Sequence, residues 1–577
     1  MSKDGTTASS AAGEQAGTQA RADGAGAESA GLFAADVLAF NQQPLVNWMG
    51  RVPDNTRLSD MSIPGTHQSC TRHDGVSFGY TRCQDGERTL YDQLACGTRY
   101  VDIRCRVAGF GSNWSWAIHH GPVYQEMMFG DAVGSCRLFL SNHPSETIVM
   151  RIQSNDGDHP RYREIWNSYK EDLFYIATSP TGIPTLGQVR GKIVLISGNP
   201  YLGEGLHWPN ALDVQDNYSK PSMDSKKSSI LNHLNKAINA GPSKSRLFVN
   251  HISANGQGNG TTPWGYADAL NPYTRNRLND LYAPGKSVGV IAMDYWNRPY
   301  GDVTSARYVA NAYAVVISNP RKPAAGVHDG RSYLIWNKGN GKALNPTGSG
   351  VNALHPQAGH QRWTVSGSKL IAGSKQLRVS GNQLSLVSSG GTDWAFHPVA
   401  NGTFRITPLS SGTNGAGLYS NGRVDGVAVT MSTSTDHFSE WYFDPYAPGV
   451  LAEDIEEQTV RACAEILSVD DADNHTVQVT VTNNTAGPVT HWSVFAVLPE
   501  GVTLDPHATR TADAGTTITA DIFPADTGSP SVVFAPAPGT PPLQPGDSAG
   551  FTYTGHAPSR EVEPIPIVSV DIKTTTP

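Results

Sequence analysis

Between residues 58 and 295, short β-type runs alternate with stretches of helical pattern, and this alternation constrains the fold more than any other feature of the chain. The runs cover residues 99–107, 146–153, 192–197, 246–253 and 287–295. Strands separated by helical crossovers run parallel, and a parallel sheet covered by helices is an open α/β sheet or a barrel. In a barrel the chemistry gathers where strands end at their carboxyl side. Here an apolar run breaks at Pro64-Gly65 and presents His67, Arg104 closes the next run, His119-His120 closes another, and Asp294 follows the last.

At 577 residues the chain exceeds what one core can organise, since domains average roughly 100–200 residues. After Pro323 the texture turns to Gly, Ser, Asn and Thr, with Trp336, Trp363, Trp394 and Trp441 marking a repeat of about forty residues. Each Trp is expected to fill a core in preference to binding a ligand. Beyond an acidic linker at 453–457, apolar and polar residues alternate between turns rich in Gly and Pro, the pattern of a β-sandwich. The expected order is a disordered tail (1–40), a catalytic barrel (41–323), a Trp-repeat domain (328–447) and a sandwich (458–577), the last read as a spacer.

The net charge of -8 and pI near 6.1 argue against nucleic acid as a partner. No apolar run reaches the roughly 18 residues of a membrane span. The six cysteines lack metal-ligand spacing, so no structural zinc is expected. Five of them (Cys70, Cys83, Cys96, Cys105, Cys136) fall in the first domain, where two disulfides or buried thiols fit equally well. Residues 1–31 carry no apolar core of a secretory signal. A secreted, extracellular location is favoured, with a removed signal, another export route or a cytoplasmic protein left open.

The segments Ile63-Pro64-Gly65-Thr66-His67, Asp102-Ile103-Arg104, His119-His120-Gly121-Pro122-Val123-Tyr124, Pro144-Ser145-Glu146-Thr147-Ile148, Arg190-Gly191-Lys192-Ile193-Val194-Leu195 and Asp294-Tyr295, with Trp48-Met49 before them, resemble in order and spacing the bacterial phosphatidylinositol-specific phospholipases C. The resemblance spans about residues 41–323 and implies a distorted (β/α) TIM-type barrel. It implies a metal-free lyase that cleaves phosphatidylinositol to diacylglycerol and an inositol cyclic phosphate, using no cofactor. His67 matches the general base, His120 the general acid, Arg104 the cation on phosphate and Asp294 the carboxylate that orients the base. Such cleavage needs a base for the neighbouring hydroxyl, a cation for the phosphoryl oxygens and an acid for the leaving oxygen. A lone loop histidine is usually no more than solvent-exposed; the ordered set outweighs that reading.

Asp216 and Tyr218 match residues that hold the inositol ring, whereas Gln153 and Gly198 stand where the family keeps basic residues. Arg151, on the same strand face as Gln153, is expected to compensate. Gln68, which replaces the family's aspartate beside the base, is expected among the substrate-binding residues with Asp216, Tyr218 and Arg151, and Trp264 matches an exposed membrane-docking residue. The repeat, with Gln361-Arg362-Trp363, looks like a ricin-type β-trefoil that offers a possible glycan site, and the last domain resembles an immunoglobulin-like β-sandwich. Two alternatives stand beside the lipase: a weakly catalytic surface- or glycan-binding protein, and a metal-dependent glycerophosphodiesterase.

Overall fold

The computed structural model describes residues 42–573 apart from 76–78, 87, 110–113, 257–259, 299–308, 324–325, 358–360, 400–401, 449–459, 471–473, 500, 505–517, 524–530 and 559–565. The expected disordered tail and the acidic linker lie outside the described residues.

The first unit is built on β1 (Ser62–Thr66), β2 (Tyr100–Ala108), β3 (Ser115–His120), β4 (Val123–Met128), β5 (Ile148–Ser154), β6 (Ile193–Ser197), β7 (Leu212–Gln215), β8 (Leu247–His251) and β9 (Gly289–Met293). Seven of these pair in parallel in the order β7-β8-β9-β1-β2-β5-β6. Among the described residues β6 and β7 do not pair, so the sheet curls as a half-barrel and stays open at that seam. The strands β1, β6, β8 and β9 are buried throughout, as parallel strands covered on both faces must be. Their side chains alternate between two cores: Val149 and Val194 enter one, Met150 and Leu195 the other.

Helices cover the sheet: α1 (Leu90–Ala95), α2 (Phe129–Asn142), α3 (Tyr162–Tyr169), α4 (Met223–Asn239), α5 (Pro263–Leu281) and α6 (Ala310–Val316). Local chemistry sets their starts. The Ser222 hydroxyl accepts from the Ser225 amide before α4, and Thr262 accepts from Gly265 before α5, whose first turn holds Pro263.

One departure concerns the functional strands. β2 does not end at Arg104 but runs on to Ala108, because its far half pairs antiparallel with β3, and β3 with β4. Thus His120 closes an antiparallel hairpin leaning on β2, not a strand of the parallel sheet.

Within residues 332–445, eleven antiparallel strands among the described residues form a second sheet. Trp336, Trp363, Trp394 and Trp441 are all buried in it. The indole N–H groups of Trp363, Trp394 and Trp441 donate to the carbonyls of Leu344, Leu377 and Leu418, each about twenty residues back, so the sequence repeat is a structural one. Trp336 instead joins the barrel core with Leu334, Ala343 and Tyr442. At that junction the buried Asp444 carboxylate accepts from Arg321, Tyr313 and the Trp336 indole, with Arg51 3.5 Å away.

Among the described residues the last unit is two four-stranded antiparallel sheets sharing one core that includes Val479, Val494, Phe534 and Phe551. The six cysteines are free thiols, all buried except Cys463.

Candidate active site

The carboxyl ends of β1 and β9 are neighbours in the sheet, and their pairing carries His67 and Asp294 to one place. His67 Nδ1 lies 2.8 Å from Asp294 Oδ1, and Arg104 Nη2 lies 3.1 Å from His67 Nε2. A guanidinium only donates, so Nε2 accepts and the ring proton sits on Nδ1, pointing at the carboxylate. Burial, and after it the Arg104 charge, hold His67 well below the ordinary histidine range. Burial likewise pushes Asp294 up, against the pull of Lys226 and Arg104. The pair therefore rests as neutral imidazole hydrogen-bonded to the carboxyl group, with the Nε2 lone pair covered by a cation that an anionic substrate can draw away.

His120 Nδ1 donates to the Thr81 carbonyl and lies 3.8 Å from Cys83 Sγ. That bond leaves Nε2 as the working nitrogen. Burial lowers its proton affinity, partly offset by the Thr81 bond. The adjacent His119 falls on the other face of β3, its ring 5.4 Å from Tyr124, and burial lowers it to about 4. The two histidines are thereby told apart.

Beneath them Asp102 is fully buried and accepts from Arg104 at 3.2 Å, Arg151 at 3.4 Å and the Gln68 amide at 3.2 Å. Burial alone would raise this carboxyl; the two arginines outweigh it and keep it ionised. Gln68 is buried with φ 44, and its side chain accepts from the Thr71 hydroxyl, so it supports the turn after β1. Arg151 is held by Asp102 and Gln153, and its guanidinium lies 3.8 Å over the Trp208 ring. Gly198 has no room for a side chain, since a Cβ would sit 2.5 Å from the Ile152 carbonyl.

Asp216 and Tyr218 follow β7 at the exposed rim, with Tyr218 58% accessible. Trp264 is 47% exposed in the first turn of α5, under the Arg298 guanidinium.

The sequence reading did not single out His251, Lys226 or Trp208. His251 ends β8 fully buried, 5.6 Å edge-on to His67, and neither ring nitrogen has a hydrogen-bond partner among the described residues. Lys226, also buried, donates to the Asn217 carbonyl, and burial lowers it to about 8. A histidine closing a buried parallel strand is a signal that was available. Lys226 lies in the first turn of α4 and leaves none.

His67, Cys83 and Asp294 place possible metal ligands within 4.8 Å of one another, the group of that kind found among the described residues. Burial keeps the Cys83 thiol protonated, and Arg104 already supplies the positive charge at His67.

Fold and site together define a class: an α/β half-barrel with a carboxylate-held histidine, a second histidine and an arginine facing one mouth, equipment for acid–base cleavage of a phosphodiester. Comparison with known proteins is specific. The model of the family "Phosphatidylinositol-specific phospholipase C, X domain" matches residues 61–198. The 1-phosphatidylinositol phosphodiesterase of Listeria monocytogenes is 33% identical over 267 residues, 43% of this chain and 80% of that protein. The enzyme of the same name from Staphylococcus aureus is 30% identical over 285 residues, 43% of this chain and 88% of that protein. The solved phosphatidylinositol-specific phospholipase C of L. monocytogenes aligns at 27% identity over 48% of this chain and 98% of its own, with a TM-score of 0.39. The chain belongs to the phosphatidylinositol-specific phospholipase C family.

Proposed function

We propose that this protein is a phospholipase C that cleaves phosphatidylinositol-type lipids to diacylglycerol and an inositol cyclic phosphate without a metal ion. The observation that carries the reading is His67 held between Asp294 and Arg104. Phosphate oxygens draw the guanidinium from Nε2, which then takes the proton of the inositol 2-hydroxyl while Asp294 steadies the ring. The freed oxygen attacks phosphorus, the bond to the glycerol oxygen breaks, and protonated His120 donates to that leaving oxygen. Asp102 keeps Arg104 charged and aimed. Asp216, Tyr218 and Arg151 are assigned to the headgroup, Gln68 to the turn that presents His67.

Residues 41–323 form the catalytic barrel in this reading, 328–447 a ricin-type β-trefoil and 458–577 an immunoglobulin-like sandwich. The three indole-to-carbonyl bonds support the trefoil, and the same burial leaves those tryptophans no part in holding a glycan. Among the described residues no helix is long and apolar enough to cross a membrane. Contact with lipid is assigned to the surface around the exposed Trp264.

The test is product release from phosphatidylinositol vesicles with excess chelator. Diacylglycerol and cyclic inositol phosphate are expected at an undiminished rate, with no gain from added calcium. A strict calcium requirement would establish a metal phosphodiesterase and make His67, Cys83 and Asp294 its ligand candidates; no products at all would leave a binding protein.

Trp264→Ala is expected to weaken action on vesicles more than on a soluble inositol-phosphate ester, because an interfacial indole serves docking and not chemistry. Equal losses on the two substrates would assign Trp264 to the helix and not to the membrane.

A further inference from the structure

The hairpin of β3 and β4 carries His120, yet it leans on the parallel sheet only through the far half of β2. Trp116 and Ile118 bury its inner face in the barrel core, which leaves the outer face to be covered. The opposite face of the ribbon lies on the C-terminal sandwich. Ala117 and Met128 close one buried cluster with Phe495 and Val533 of that domain. Tyr124 stands between the two bodies, its ring 5.4 Å from His119 and 5.3 Å from Phe495. Its hydroxyl donates to Ser569 Oγ at 2.9 Å, and the Ser569 hydroxyl donates to the Glu126 carbonyl at 3.1 Å. Glu126 is held at φ 53, a conformation costly for a residue with a side chain and maintained only where neighbours enforce it.

The strand Ile567–Lys573 continues the contact along the start of α2. Asp571 is buried and accepts from the Tyr169 hydroxyl at 2.9 and 3.0 Å and from the Gly130 amide at 3.3 Å. Lys573 Nζ donates to the carbonyl of Trp114, the residue before β3. The approach is close enough to require glycine: a Cβ at Gly130 would lie 2.6 Å from Asp571 Oδ1 and from the Ile572 amide.

We propose that the sandwich is a clamp on the β3–β4 hairpin and not a spacer, with Tyr124, Gly130, Ser569 and Asp571 acting as positioning residues for His120. The inference rests on His120 being the proton donor to the leaving oxygen. Misplacing a reacting group by about 1 Å costs on the order of 10²-fold in rate, and a ribbon released from the clamp misplaces this one donor while His67, Arg104 and Asp294 stay on the parallel sheet.

The full-length chain is tested with Gly130→Ala, which wedges the two domains apart, and Ser569→Ala, which removes one hydroxyl and keeps the test readable if the first variant does not fold. Each is made alone and with His120→Ala, and turnover is measured on phosphatidylinositol and on an activated nitrophenyl ester of inositol phosphate. The expected result for Gly130→Ala is a loss of about 10-fold to 10²-fold on the lipid. Ser569→Ala shows a smaller loss in the same direction, the activated ester is much less affected, and neither variant adds a loss in the His120→Ala background. Equal losses on both substrates, additive losses in the double variants, or unchanged turnover would overturn the clamp alone. Near-normal turnover of His120→Ala itself would overturn the donor assignment and the clamp with it.

Discussion

His67→Ala and His120→Ala are each expected to lower turnover of phosphatidylinositol by about 10²-fold to 10⁴-fold, the range for a positioned acid or base. The two losses differ in kind. A nitrophenyl leaving group needs little protonation, so it recovers most of the rate of His120→Ala and none of the rate of His67→Ala. The pH dependence follows from the shifts already described. In the proposed role His67 works unprotonated, and burial lowers its pKa, so it is expected to remain a base well into mildly acidic solution. In the proposed role His120 works protonated, and burial lowers its pKa too, so activity is expected to fall as pH rises through a value below the ordinary histidine pKa of about 6.5. The profile of kcat/KM reports these groups in the free enzyme. Its maximum is expected on the acid side of neutrality, and a descending limb well into the alkaline range would exclude His120 as the donor. Near-normal turnover of either alanine variant would exclude that residue from its role.

Asp444→Asn is expected to destabilise the protein by about 3–5 kcal/mol, the cost of breaking a buried ion pair and stranding its cation. Asp444 is fully buried, the Arg321 side chain is 7% exposed, and Arg51, Tyr313 and the Trp336 indole converge on the same carboxylate. The amide keeps one acceptor oxygen but supplies no charge. Denaturant unfolding followed by tryptophan fluorescence reads the change, and catalysis measured in the cold, far from the junction, stays close to that of the unaltered protein. A shift below about 1 kcal/mol, the scale of a surface pair, would show that the junction does not depend on this charge.

Much of the active site was legible because its residues belong to local patterns. His67 follows a strand that runs unbroken through Pro64-Gly65 to Thr66, where a break was expected; Arg104 and His120 sit on β-type runs, and the structure brings His67, Arg104 and Asp294 together with His120 beside them across Cys83. Asp102 belongs to the same motif, two residues before Arg104 and hence on the same face of β2. His251 and Lys226 arrive from β8 and α4, elements that announce a core and not a site. The spacing of Gln68 placed it beside the base; its positive φ and its bond to Thr71 turn its side chain into the loop, which no spacing reveals.

The chain's own periodicities were sufficient for the order of elements: apolar runs of parallel strands, recurring tryptophans and alternating sandwich strands each express a local preference of the backbone for burying one face. The split of His119 from His120 follows from strand alternation and the open seam between β6 and β7 from which strands pair, whereas the sandwich packed behind the His120 hairpin came from contacts between residues hundreds of positions apart. Those contacts are chosen by shape and by the need to satisfy buried polar groups such as Asp444 and Asp571, conditions that exist only once the domains have met.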